Sequence, residues 1–131
     1  MYSKVILFFL CLSLQAHAHE MTPTYPALAP SYIDGVSVAK MKLFNRREDV
    51  GYYQILVYTE DWLPISFASE EKIIKIGYNK TKSFNVYVRS VDLDKTVYIC
   101  TVSKVFKGTN QIALVSSMIC SKIKQWNYFY F

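Results

Sequence analysis

Apolar and polar residues alternate with a period of two along much of the chain, and no window shows an apolar stripe at helical spacing. The clearest case is Ser83 to Arg89: Phe84, Val86 and Val88 share one face, and Ser83, Asn85, Tyr87 and Arg89 the other. The same alternation predicts a strand within Gly51 to Glu60, with Tyr53, Ile55 and Val57 on its buried side. A shorter strand is expected from Lys72 to Tyr78, where Ile74, Ile76 and Tyr78 fall in phase. Within Val36 to Asn45 the phase changes, because Val36 and Val38 lie on one parity and Met41 and Leu43 on the other. That change predicts a β-bulge near Ala39.

Prolines and turn formers punctuate these runs. Pro23, Pro26 and Pro30 mark His19 to Ser31 as an extended edge segment, since a proline offers no amide to a central ladder. Asn45 to Gly51 and Asn79 to Lys82 read as turns, and Pro64 marks an edge or a crossing between sheets. Turn signals recur roughly every eight to twelve residues, the spacing of an all-β sandwich. The fold expected is all-β, a single immunoglobulin-like antiparallel β-sandwich of about seven strands.

The stretch from Lys95 to Lys124 reads as a β-hairpin rich in β-branched residues and folded about Lys107-Gly108-Thr109-Asn110, where Gly108 and Asn110 tolerate the positive φ of a tight turn. Cys100 and Cys120 lie one on each arm, and pairing about that turn sets them opposite or nearly opposite each other. A disulfide between them would close a loop of roughly twenty residues, for which chain entropy suggests about 3 kcal/mol.

The remaining cysteine, Cys11, belongs to a different kind of segment. Met1 to Ala18 has a lysine-bearing start, an apolar run from Val5 to Leu14 and an Ala16-His17-Ala18 ending, as a cleaved secretory leader does. The run is too short to span a bilayer. Cleavage after Ala18 leaves one domain, His19 to Phe131, with an even number of cysteines in an oxidising compartment, the periplasm or the cell exterior. A 52% hydrophobic and 16% aromatic composition excludes disorder. The formal charge of +5 is spread along the chain, which favours solubility and attraction to an anionic envelope surface and gives no basic stripe for nucleic acid.

Catalytic chemistry finds few candidates. His17 falls in the leader, and His19, the residue that cleavage would expose, has no histidine partner for a zinc site or a nucleophile pair. A terminal His19-Glu20-Met21 suits copper only as a minor reading. The carboxylates occupy turn-like positions, where solvated caps are the default. The protein is therefore expected to bind rather than catalyse, and to need no cofactor. Asn79-Lys80-Thr81 is a glycosylation sequon, meaningful only in a eukaryotic secretory pathway. The tail is more unusual: Trp126, Tyr128, Phe129, Tyr130 and Phe131 put five aromatics in the last six residues, so this end is expected to dock, on the sandwich or on a partner.

Taken in order, the VAKMKLFNRR strand ending at Asn45, the YYQILVYTEDW strand, the Pro64-Ile65-Phe67 corner, KIIKI, and KSFNVYVR ending at Arg89 resemble the N-terminal immunoglobulin-like domain of PapD-like periplasmic pilus chaperones. The family carries a second such domain, for which the chain from His19 has no room. The resemblance implies action by β-strand addition, in which an exposed strand edge exchanges backbone hydrogen bonds with a partner. Ile112, Leu114 and Met118, in phase on the last strand, are the expected partner-binding row, joined by Trp126, Tyr128, Tyr130 and Phe131 of the tail. The partner implied is another secreted or envelope protein, such as a fibre subunit. Self-association as a structural subunit or adhesive module is the alternative.

Overall fold

The computed structural model describes residues 18–105 and 116–124. The expected leader through His17, the turn at Gly108 and Asn110, Ile112 and Leu114, and the tail from Gln125 lie outside the described residues. Two antiparallel sheets face each other across one core. In the first, β3 (Val36–Phe44) is central: β6 (Thr81–Arg89) lies on one side, and β1 (Glu20–Thr22) and β2 (Ala29–Pro30) share the other. The second runs β5 (Ile73–Lys75), β4 (Tyr52–Tyr58), β7 (Tyr98–Lys104), β8 (Met118–Lys122). The chain is thus all-β and forms an immunoglobulin-like sandwich. Its one described helix is a short 3-10 turn at Ser90–Lys95, and no helix among the described residues is long and apolar enough to cross a membrane.

Inward alternation builds the core. Met41 and Leu43 of β3, Tyr53, Ile55 and Val57 of β4, Phe84, Val86 and Val88 of β6 and Ile99 of β7 are all buried in one cluster. The strands expected around Tyr53 and Phe84 are therefore present with the expected faces. Proline also acts as anticipated: Pro64 bridges Tyr58 in the second sheet, and the chain then crosses so that Ala68 exchanges two hydrogen bonds with Tyr87 in the first.

Two expectations need correction. No bulge interrupts β3, whose pairing with β6 is continuous from Val36↔Arg89 to Phe44↔Thr81. The inward residues are Ser37, Ala39, Met41 and Leu43, while Val36 and Val38 are half-buried on the outer face. A serine is tolerated inside because its hydroxyl meets the Ser90 hydroxyl at 3.0 Å. The second correction concerns Tyr78, which does not continue the β5 face. It is exposed, because the chain turns through Gly77 to Lys80 with Asn79 at φ 57°, and the Asn79 amide bonds the Asn45 carbonyl instead.

The amino-terminal edge is divided. β1 and β2 both pair with β3, but between them the chain visits the other sheet, where the Thr24 and Pro26 carbonyls accept the amides of Lys122 and Lys124. Three prolines in this stretch suit such a path, since an edge chain needs few amide donors.

Candidate binding edge

β7 and β8 pair about the register Cys100↔Cys120, and these residues form a disulfide with a Cα–Cα separation of 4.0 Å. The spacing follows from the ladder. Ser103 N–H donates to the Ser117 carbonyl, and Ile123 N–H to that of Val97, so odd-numbered residues of β8 bond to β7. Cys120 then sits in a non-hydrogen-bonded pair, where facing residues approach most closely. The two paired arms expected from the sequence are present, and the turn expected at Lys107 to Asn110 lies outside the described residues.

The same parity fixes what β8 offers on its other side. Even-numbered residues turn their amides and carbonyls away from β7, and the Lys122 amide is taken up by Thr24. β8 is the last strand of its sheet, and although β1 of the first sheet comes close to it, the outward backbone groups of Met118 and Cys120 bond no described strand. Met118 is half exposed. Of the expected partner-binding residues it is the one the structure describes, and it stands at the start of this open edge. Ile112, Leu114, Trp126, Tyr128, Tyr130 and Phe131 fall outside the described residues.

Beneath the edge lies a buried polar cluster that no local sequence pattern announces. His19 is buried at 1% exposure. Its Nε2–H donates to Thr101, with Oγ1 at 2.8 Å and the carbonyl at 3.2 Å, and its Nδ1 faces the Ser117 hydroxyl at 3.1 Å. The Thr101 hydroxyl in turn points at the Met21 sulfur, and the ring packs 4.5 Å from that of Tyr53. Burial lowers the imidazole pKa to about 4; the bond to the Thr101 carbonyl opposes this, and Arg47 adds to it. His19 is therefore neutral at ordinary pH, with both ring nitrogens engaged. A terminal copper site would need those nitrogens free, and among the described residues no group of three or more potential metal ligands gathers.

Arg47 closes the cluster. Its guanidinium makes a bidentate pair with Asp49 and reaches the Ser117 hydroxyl at 3.4 Å. The hydrogen bond between them holds the arginine above and the aspartate below their usual pKa values. Asn45 organises the turn that carries Arg47. Its Oδ1 accepts from the Tyr53 hydroxyl at 2.6 Å and the Arg47 amide at 2.9 Å, while its Nδ2 donates to the Val50 and Ile76 carbonyls. Burial pushes the Tyr53 phenol up to about 12, so it remains a donor. His19 and Arg47 thus meet at Ser117, just before β8 starts, and tie the amino-terminal strand and the Asn45 turn to the entry of the open edge. With a pKa near 4 and both ring nitrogens hydrogen-bonded, the imidazole is a weak base held in place, and with the paired guanidinium it ties strands together.

No protein-family model and no curated protein sequence matches the chain. Among solved structures it is similar to the E. coli chaperone DraB, with a TM-score of 0.61 and 16% identity over 82% of this chain and 54% of that one. The chain therefore spans about half the length of that chaperone. The likeness establishes the fold and agrees with the PapD-like resemblance of its strands.

Proposed function

We propose that this protein is an exported, chaperone-like or accessory factor that holds another envelope protein, such as a pilus-type fibre subunit, by β-strand addition. The observation that carries the reading is the outer edge of β8, where Met118 and Cys120 bond no described strand and the disulfide staples the strand to β7. An exposed edge with unpaired amides and carbonyls is a template for another strand. Covalent attachment to β7 keeps that template in register while a partner docks. Support comes from the fold shared with a chaperone, from the disulfide, which suits an oxidising compartment, and from the leader-like start of the sequence with cleavage after Ala18. Binding through backbone and apolar contacts calls for no catalytic group or cofactor.

The test is Met118→Pro. The Met118 amide points away from β7, so proline removes a donor offered to the partner and no donor used within the sheet, and edge strands accept proline. The wild type, captured with its bound proteins from its native envelope, should retain one defined surface or fibre protein. The variant should fold with an unchanged circular dichroism spectrum and lose that protein. Equal retention by both would sink the edge as the binding site. A concentration-dependent oligomer without a partner, measured by size-exclusion chromatography with mass detection, would favour a structural subunit instead.

A further inference from the structure

We infer that the outer face of the first sheet carries a binding site for a phosphate-class dianion, held between Lys40 and Lys42. The site arises from the divided amino-terminal edge. β1 pairs with β3 from Lys42 to Phe44, and β2 pairs with it at Ser37 and Val38. Lys40 lies between these blocks. Odd-numbered residues of β3 bond to β6, as the Gly35 carbonyl and the Asn45 amide show at its two ends, so the Lys40 amide and carbonyl open into the gap. A cavity of about 430 Å³ occupies this place, lined by Thr22, Lys40, Lys42 and Ser83 among others.

Two residues apart on one strand, the lysines point to the same face with backbones about 6.7 Å apart. Neither belongs to an ion pair among the described residues, where Arg46, Arg47, Lys82 and Arg89 take the carboxylates. Of the acids on this side, Glu20 pairs with Arg46 at 3.0 Å and Glu71 with Lys82 at 2.8 Å, while Glu70 keeps its charge and accepts from the Asn85 amide group at 3.0 Å. Like charges on adjacent positions of one face repel each other and are relieved by a shared counterion. A single carboxylate would balance only one of them. A dianion with several acceptor oxygens balances both and also accepts from the Thr22 and Ser83 hydroxyls. The ligand class is a phosphate ester, free in solution or as a lipid headgroup, and the site is independent of the β8 edge.

Titration of the oxidised full chain with inorganic phosphate, followed by amide chemical shifts at constant ionic strength, tests the site. Saturable shifts centred on Lys40 are expected, with affinity at least about tenfold weaker in the Lys40→Gln/Lys42→Gln pair. A Lys75→Gln/Lys104→Gln pair, which removes the same charge from the other sheet, should stay within about twofold. Phosphatidic acid vesicles, whose headgroup is a phosphate monoester, with phosphatidylcholine vesicles as control, distinguish the source. Vesicle binding that phosphate competes away assigns a lipid headgroup, and saturation by phosphate without vesicle binding assigns a soluble ester. Shifts that fail to saturate, or equal weakening in both lysine pairs, would overturn the site.

Discussion

Between β3 and β6 nine residue pairs run without interruption, and the inner face of that ladder is apolar but for Ser37 and, at its open end, Lys82, which pairs with Glu71. Between β7 and β8 five pairs are joined by a disulfide, and the inner face carries Thr101, Ser103 and Ser121, all buried and polar. The first ladder is held by area removed from water, a force without direction that tolerates exchange among apolar side chains. The second, at the sheet edge, has less apolar surface to bury and relies on directed bonds: the disulfide, His19 to Thr101 and Ser117, and Ser103 Oγ accepting the Ser117 amide at 2.9 Å. Directed bonds hold a strand in one register where burial alone would allow it to slip. An edge proposed to receive a partner strand would benefit from that property.

The contrast is broken most severely on the apolar side. Leu43→Ala, at a side chain with 0% exposure in β3, should cost about 3–5 kcal/mol in denaturant unfolding, through lost burial and an unfilled cavity. Removal of the disulfide by Cys100→Ser with Cys120→Ser should cost about 3 kcal/mol by the same measurement. The two losses should differ in kind. The leucine variant should weaken amide-exchange protection in both sheets, since its cavity lies in the shared core. The serine pair should lower protection first in β8 and leave Val86 and Val88 protected. Uniform loss in the serine pair would mean that β8 is as integral to the core as β6.

These two ladders also differ in how far the chain announces them. Phe84, Val86 and Val88 reveal β6 because a strand with one wet face must alternate, and Cys100 and Cys120 reveal the β7–β8 register because two arms about one turn have few ways to pair. In β3, hydrophobicity alone predicts a bulge that the continuous ladder does not contain. Ala39 and Ser37 take the inner places because they are small, and Val36 and Val38 remain half-buried outside. The polar cluster had no local signature. His19 meets Ser117 across 98 residues and Thr101 across 82, and Arg47 meets Ser117 across 70. Asn45 was visible as a strand-ending residue of the chaperone-like pattern, but its four hydrogen bonds were not. Nor was the gap at Lys40, which depends on where the amino-terminal chain leaves the sheet.

A smaller effect probes the link between the two regions. Asn45 follows the end of β3 and holds Tyr53 of β4, so Asn45→Ala leaves the buried Tyr53 hydroxyl and the Val50 and Ile76 carbonyls without their partner. A loss of about 2–3 kcal/mol is expected in denaturant unfolding. It should come with a fall in the Tyr53 phenol pKa from about 12 if water enters to solvate it. A variant as stable as the wild type would show that the turn, rather than its asparagine, sets the angle between the strands.

The smallest effect isolates His19 and can be read without mutation. Its imidazole titrates near 4 in the folded protein and near its ordinary 6.5 when unfolded. The folded state therefore favours the neutral ring. Above pH 6.5 both states are neutral and the difference contributes nothing. As the pH falls below 6.5 the unfolded chain binds a proton that the folded one refuses, and stability drops by about 1.4 kcal/mol per unit until the folded pKa is reached. At pH 5.5 the loss is about 1.4 kcal/mol. Asp49 acts in a separate window: its folded pKa is held below the ordinary 3.8 by Arg47, so its contribution is present above that value and fades only as the pH falls further. Unfolding at pH 7 and pH 5.5 should show the loss in the wild type and its absence in His19→Gln, which keeps hydrogen-bonding groups and cannot take up the proton. Amide exchange should place the acid-weakened protection in β1 and β8, where His19 joins the strands, and leave the β3–β6 ladder unchanged. Equal acid sensitivity in His19→Gln would assign the loss to carboxylates and remove His19 as the tie between the amino-terminal strand and β8.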